Sequence, residues 1–194
     1  MTARIFGTGV ALCAVLLILA SCGGSDDSPG EQDGVTDGEL DVRLCTPADV
    51  ELSVAYGAIG SSVVGNLILE NVASDACGVQ GAPVLELLDS AGAPLPVEQI
   101  TRDETPAPPV ALEPAARAQS FFAWGNWCEG GVPRGLGAGP IEGGLTLRMT
   151  LPGGGEPLLA ETTADGLPMV DTPRCDAPGT SSSVAVDPFE PRES

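Results

Sequence analysis

The chain has 194 residues, a length that fits one domain of ordinary size with additional terminal segments. It carries 27 acidic residues against eight basic ones, all of them arginine, and no histidine, so its formal net charge is −19. Such a surface lacks the basic patch that phosphate binding needs, which excludes nucleic acid as an expected partner. Without histidine or lysine, the Ser-His-Asp, Cys-His and Ser-Lys catalytic arrangements are excluded as well.

The amino terminus has the layout of an export signal, because Arg4 precedes an apolar run from Ile5 to Ala20. This run is shorter than the roughly twenty apolar residues that a membrane-spanning helix needs. The residues Leu-Ala-Ser-Cys that end at Cys22 resemble the lipobox of bacterial lipoproteins, in which the cysteine thiol receives a diacylglyceryl group and the signal is cleaved before it. The resemblance implies a signal peptide over 1–21. It also implies an anchor in membrane lipid through Cys22, on the outer face of the cell membrane. An ordinary secretory signal and an uncleaved anchor are the alternatives.

Residues 22–44 are rich in Gly, Asp and Glu and contain little to bury. This composition predicts a disordered tether that spaces the folded body away from the lipid. A calcium-loop pattern that starts at Asp33 fails, because Val35 and Leu44 stand at positions where acidic ligands are needed.

Four further cysteines, Cys45, Cys77, Cys128 and Cys175, lie in the body of the chain. In an exported protein they predict two disulfide bonds, for which three pairings are possible. Nearest-neighbour pairing, Cys45 with Cys77 and Cys128 with Cys175, is favoured because it closes the shorter loops. The absence of a CxxC pair and of histidine argues against a zinc site, and neither a metal nor another cofactor is predicted.

From Cys45 onward apolar and polar residues alternate with period two, which is typical of half-buried strands. Gly and Pro punctuate nearly every gap, and no helical period occurs away from the signal. The pattern predicts an all-β fold, an antiparallel β-sandwich over 45–190, with 191–194 as a tail. The predicted strands lie at Val50–Tyr56, around Leu67 and Leu69, at Val84–Asp89, at 117–124, at 145–151 and, more weakly, at 156–162 and 182–186.

A cluster of aromatic residues, Phe121, Phe122, Trp124 and Trp127, precedes Cys128. Such a cluster is either a ligand platform or part of the core. The core is favoured, because such clusters are more often buried and Trp124, four residues before Cys128, would pack well against a disulfide bond.

Several segments between Cys45 and Pro188 occur in an order and with a spacing that resemble a known family. They are "CTPADVELSV", "NVASDACGVQGAPVLELLDSAGAPL", "VALEPAARAQSFFAWGNWC", "LTLRMTLPGG" and "VAVDPF". The family is domain-of-unknown-function family 4232, a group of exported bacterial lipoprotein domains. Two positions depart from it, since Ala115 stands where the family usually has Gly and Ala82 where it usually has an aromatic residue. The resemblance implies an immunoglobulin-like β-sandwich outside the membrane. It implies no activity, so no catalytic residue is carried over.

Carboxylates are the remaining candidates for catalysis. A glycosidase needs two of them at a suitable separation. Glu86, Asp89, Asp103 and Glu104 are available, but nothing in the sequence marks a pair.

The sequence therefore favours a non-catalytic binding or scaffolding module of the cell envelope, a monomer with an unidentified envelope partner. A carboxylate-dependent hydrolase acting on cell-wall glycans is the alternative, and calcium-dependent binding by loop carboxylates is a third hypothesis. Binding residues are expected in the longest loops, Gln99–Pro109 and Glu129–Gly144.

Overall fold

The computed structural model describes residues 42–102, 107–128 and 143–193. In these ranges the chain forms strands and turns and no helix. The described residues therefore contain no helix that could cross a membrane. The strands are β1 (Val50–Ile59), β2 (Ser62–Asn71), β3 (Cys77–Val79), β4 (Val84–Leu88), β5 (Val97–Thr101), β6 (Val110–Leu112), β7 (Arg117–Gly125), β8 (Thr146–Thr150), β9 (Leu158–Ala160), β10 (Ser182–Val186) and β11 (Glu190–Arg192).

The larger sheet has the strand order β1-β2-β7-β10-β5, and β11 also pairs with β7. β7 lies at its centre, with β2 along one side and β10 and then β11 along the other. β10 and β5 are parallel, whereas the other strand pairs in the described ranges are antiparallel. β1 and β2 are joined by the two residues Gly60 and Ser61, and Gly60 has φ +60°. Such a turn matches the twist of the two strands it connects.

The second layer consists of the three-stranded sheet β4-β8-β9 and the two-stranded sheet β3-β6. The inward-facing residues of both layers meet in one core, because Tyr56, Phe122 and Trp124 of the larger sheet line the same interior space as Leu87 and Leu147 of the smaller one. The predicted all-β sandwich is therefore confirmed. Alternation in β8 places Leu147 and Met149 in the core, as the period of two predicts.

Four short strands, β3, β5, β6 and β11, were not predicted from the sequence. Gln99, predicted to begin a loop, lies inside β5, so the loop after it starts only beyond Thr101. The side chain of Gln99 links the edges of the two layers. Its Oε1 accepts a hydrogen bond from the Leu85 N–H at 2.7 Å, and its Nε2 donates to the Pro83 carbonyl at 2.8 Å.

The folded body extends slightly beyond the predicted limits of 45 and 190. At the start, the Arg43 carbonyl accepts a hydrogen bond from the Gly78 N–H at 2.9 Å, although Arg43 was assigned to the tether. At the end, β11 runs to Arg192, inside the segment predicted as a tail. Both extensions are single strand-like contacts of two or three residues, too short to produce a hydrophobic period in the sequence.

Candidate functional site

The four cysteines of the body form two disulfide bonds, Cys45–Cys77 and Cys128–Cys175, each with a Cα–Cα distance of 4.8 Å. The favoured pairing is confirmed. Cys45 and Cys77 are buried, and their bond joins the start of the domain to β3. Cys128 and Cys175 are partly exposed, and their bond joins the chain after β7 to the segment before β10. Cys22, the predicted lipidation site, lies outside the described residues.

Two of the four carboxylates considered for catalysis, Glu86 and Asp89, lie in the described ranges and have structural partners there. Glu86 on β4 accepts a hydrogen bond at 2.7 Å from Nε of Arg148, which lies opposite it on β8. The Arg148 guanidinium lowers the pKa of Glu86 below its ordinary value. Asp89 accepts hydrogen bonds from the N–H groups of Ala91 and Ala93, both at 2.9 Å, and so stabilises the turn after β4. Asp103 and Glu104 lie outside the described residues.

A general acid at neutral pH needs a raised pKa, so the lowered pKa of Glu86 does not suit this residue to the general-acid role. The described part of the chain also contains no group of three His, Cys, Asp or Glu side chains arranged to hold a metal ion. In the structure, Glu86 contributes to strand pairing and Asp89 to a turn.

The aromatic cluster divides between the core and the surface. Phe122 and Trp124 are buried on the inner face of β7, as predicted for core residues. Phe121 is on the opposite face, where the Arg102 guanidinium lies 5.0 Å from its ring centroid. Trp127 follows the end of β7 and is only partly buried, with its ring centroid 5.7 Å from that of Trp124. Trp127 is therefore the aromatic residue of the cluster that combines core packing with access to the surface.

Trp127 lines an open cleft of about 340 Å³ at the end of the larger sheet, beside the second disulfide. We refer to it as the Trp127 cleft. Its volume lies at the lower end of the range for small-molecule sites, about 300–1,000 Å³. The described residues that line it are Pro96, Asn126, Trp127, Cys128, Gly179, Thr180, Ser181 and Ser182.

Asn126 holds the two walls of the Trp127 cleft together. It has φ +51°, in the left-handed region that asparagine tolerates. Its side-chain oxygen accepts hydrogen bonds from the N–H groups of Asp176 at 3.2 Å and Ala177 at 3.0 Å. Its amide nitrogen donates to the Ala177 carbonyl at 3.1 Å and to the Thr180 hydroxyl. The end of β7 is thereby fixed to the segment that precedes β10.

That segment is itself a tight turn from Ala177 to Thr180. The Thr180 N–H donates to the Ala177 carbonyl at 3.2 Å, Pro178 occupies the second position, and Gly179 occupies the third with φ +84°. Proline second and a left-handed glycine third are the signature of a type II turn. Next to the turn, the buried Ser182 hydroxyl accepts a hydrogen bond from Trp124 Nε1 and donates to the Gly125 carbonyl, both at 2.9 Å.

Sequence reasoning located only part of this cleft. It placed Trp127 in an aromatic cluster that was either a ligand platform or part of the core, and it identified Cys128 as a disulfide cysteine. It did not select Asn126, Thr180 or Ser181. The Pro-Gly pair at 178–179 was the available signal for the turn. Of the two loops expected to bind, residues 103–106 and 129–142 lie outside the described ranges.

The fold and its two disulfide bonds define a disulfide-bonded β-sandwich domain. Its sequence from residue 45 to residue 188 matches the profile of the domain of unknown function DUF4232. The chain therefore belongs to this family, and the resemblance seen in its sequence segments is confirmed. No curated protein and no solved structure matches the chain.

Proposed function

We propose that this protein is a lipoprotein anchored by Cys22 to the outer face of the cell membrane, where its β-sandwich acts as a non-catalytic binding module. The protein works as a monomer, and its partner is a component of the cell envelope. The binding surface is the Trp127 cleft, a concave site that an aromatic side chain lines together with the exposed residues Thr180 and Ser181.

The pair of disulfide bonds is the observation that carries this proposal. Disulfide bonds persist outside the cytoplasm, in the compartment to which an export signal delivers a chain. The apolar run and the Leu-Ala-Ser-Cys motif that ends at Cys22 supply that signal and an anchor point. Two acyl chains on such a cysteine are enough for stable membrane attachment, whereas one chain binds only marginally.

Charge and side-chain chemistry favour contact over catalysis. Glu86 is occupied by Arg148 and Asp89 by its own turn, so neither is poised to exchange a proton with a substrate. The full chain has a net charge of −19, and this acidic balance favours solubility and keeps the protein body away from anionic lipid headgroups. These properties suit a module that projects from the membrane and holds a ligand.

Metabolic labelling with a fatty acid tests the anchor. We expect the wild-type chain to carry label and the Cys22→Ala variant to carry none, because the thiol of Cys22 is the proposed acceptor. Cys13→Ala is the matched control, since Cys13 lies inside the predicted signal and its loss should leave labelling unchanged. Equal labelling of wild type and Cys22→Ala would contradict the lipoprotein assignment.

Assays of the full chain on cell-wall glycans and on generic ester and peptide substrates test the absence of catalysis. We expect no turnover. A turnover that disappears on substitution of one Asp or Glu, in a variant that still folds, would replace the binding function with the hydrolase alternative.

A further inference from the structure

We propose that the Trp127 cleft binds a neutral saccharide, with one sugar ring against the indole of Trp127 and its hydroxyl groups hydrogen-bonded to the wall formed by residues 179–182. This inference rests on the proposed binding function and names the class of ligand. It is argued from the aromatic surface, the lining polar groups, the charge and the rigidity of the cleft.

The indole of Trp127 provides the apolar surface. It is partly buried and packs against Trp124, so its position is fixed while part of the ring remains accessible from the cleft. The ring of Trp124 is itself held by a hydrogen bond from Nε1 to the Ser182 hydroxyl. A flat aromatic ring that is fixed in this way suits the C–H face of a sugar, because aromatic rings carry a negative face that attracts positively polarised hydrogens.

The wall beside the indole carries the hydroxyl residues Thr180, Ser181 and Ser182. The hydroxyl groups of Thr180 and Ser182 already donate and accept hydrogen bonds within the protein, so Ser181 is the residue of the three that offers its hydroxyl to a ligand. The Ser181 side chain is exposed and makes no hydrogen bond within the described part of the chain, so it is free both to donate and to accept. A hydroxyl offers one donor and two acceptor sites. This matches a ligand whose own hydroxyl groups both donate and accept.

The charge of the residues in and around the cleft favours a neutral ligand. None of the described residues that line the cleft is charged, whereas the chain as a whole has a net charge of −19. An anionic polymer would be repelled by the surrounding surface, and a cation would find no carboxylate among the described lining residues. A neutral polyhydroxylated ring is not repelled by the acidic surface and needs no carboxylate partner.

The walls of the cleft are fixed before any ligand binds. The Cys128–Cys175 bond, the hydrogen bonds of Asn126 and the type II turn at 177–180 each join one wall to the other or stiffen it. A preformed site avoids the entropy cost of ordering side chains and loops on binding. Only one aromatic side chain lines the cleft in the described ranges, which favours a single ring over a proline-rich peptide, since peptide grooves of that kind are lined by several aromatic residues.

The test is a titration of the full chain in detergent micelles with the tetramer of β-1,4-linked N-acetylglucosamine, followed by calorimetry and by tryptophan fluorescence. We expect saturable binding and a change in fluorescence. Trp127→Ala should weaken binding about two- to tenfold, the factor that corresponds to the loss of one aromatic contact. Trp127→Phe keeps a smaller ring and the packing against Trp124, so it should lose less affinity than Trp127→Ala.

Ser181→Ala tests the polar wall without touching the core, and we expect a several-fold loss of affinity. Ile59→Ala is the matched control, because Ile59 is 68 % exposed at the β1–β2 turn, and it should bind as the wild type does. Absence of binding, or equal affinity in Ser181→Ala and Trp127→Phe and the wild type, would overturn the saccharide assignment. So would binding of a proline-rich peptide in its place. Fatty-acid labelling at Cys22 does not depend on these variants. The labelling experiment can therefore contradict the lipid anchor without affecting the saccharide proposal, and the titration can contradict the saccharide proposal without affecting the anchor.

Discussion

At the scale of single residues, Ala115 occupies a turn position whose backbone conformation favours glycine. Glu113 to Ala116 form a turn in which the Ala116 N–H donates to the Glu113 carbonyl at 2.9 Å and Pro114 occupies the second position. Ala115 occupies the third position with φ +65°. A type II turn requires a positive φ at this position, and an L-residue with a Cβ pays for that conformation whereas glycine does not.

We predict that Ala115→Gly stabilises the protein by about 1 kcal/mol. The relief of the left-handed conformation, about 1–2 kcal/mol, exceeds the entropy that glycine adds to the unfolded chain. The measurement is the midpoint of urea unfolding. Ala116→Gly is the control, because the φ of Ala116 is not positive and glycine there should only destabilise. A lower midpoint for Ala115→Gly would show that the turn carries no strain.

Asp49 ties the first residues of the body to the sandwich. Its two carboxylate oxygens accept hydrogen bonds from Arg43 at 2.7 and 2.8 Å, and Oδ2 also accepts from the N–H and the hydroxyl of Thr46, both at 2.7 Å. The Arg43 hydrogen bonds, followed by those of Thr46, hold the pKa of Asp49 well below its ordinary value of 3.8. A carboxylate with a lowered folded-state pKa stabilises the fold above its unfolded pKa, and this stability is lost as the pH falls.

We predict that Asp49→Asn lowers the free energy of unfolding at pH 7 by about 1 kcal/mol, the lower part of the range for hydrogen bonds to charged groups. The lower part applies because Arg43 is 47 % exposed and water screens the pair. The difference between wild type and variant should shrink as the pH falls below about 4, where the Asp49 carboxyl takes up a proton in the unfolded chain but stays ionised in the folded one. Urea unfolding at a series of pH values checks this, with the exposed Glu98→Gln as control. A difference that is constant with pH would contradict the role assigned to the carboxylate.

At the scale of elements, the sequence predicted the strands whose side chains alternate over five or more residues. In β7, Ala118, Phe122 and Trp124 all fall on the buried face, and in β8 the same is true of Leu147 and Met149. The strands that were missed have three to five residues, as in β3 with three buried residues in succession and β5 with an exposed Ile100. Their existence depends on partners distant in the chain, which a local hydrophobic period does not record.

Gln99 on β5 illustrates such a dependence, because it makes with its side chain the two hydrogen bonds that a neighbouring strand would make with its backbone. We predict that Gln99→Ala destabilises the fold by about 1–3 kcal/mol, since the Leu85 N–H and the Pro83 carbonyl lose their partner in a half-buried position. Hydrogen exchange should show faster exchange of the Leu85 amide. Glu98→Ala, a change on the exposed face of the same strand, should leave both measurements within error. Unchanged exchange at Leu85 would show that β4 and β5 are held together without this side chain.

At the scale of the whole molecule, the candidate site lies where segments distant in the sequence meet. Pro96, Trp127 and Ser181 come from three separate parts of the chain and share one cleft. The sequence favoured nearest-neighbour pairing of the cysteines because it closes the shorter loops, and the pair Cys128–Cys175 places two of these segments together. The register of β10 against β7 determines which residues of these segments face each other in the cleft. This register is set by packing across the whole sandwich.

The carboxyl-terminal residues close the larger sheet. After β10, the chain leaves β7 at Asp187, buries Phe189 and returns to β7 as β11. The side chain of Gln119 on β7 makes hydrogen bonds to the first and the last residue of β11. Its amide nitrogen donates to Glu190 at 2.8 Å, and its oxygen accepts from Arg192 at 2.6 Å. These contacts make residues 189–192 part of the domain.

We therefore predict that ending the chain after Pro188 unfolds or severely destabilises the domain, whereas ending it after Arg192 has no measurable effect. The first truncation removes Phe189, which is 2 % exposed, together with the whole of β11. Phe189→Ala alone should lower the free energy of unfolding by about 3–5 kcal/mol, as large-to-small changes at buried aromatic positions do. Phe189→Leu retains most of the buried volume and should cost less than about 1.5 kcal/mol, which keeps the comparison measurable if the alanine variant does not fold. Thermal and urea unfolding of the four chains decide the matter. If the chain that ends at Pro188 unfolded at the same urea concentration as the full chain, residues 189–192 would contribute nothing to stability, and the sheet would be complete without β11.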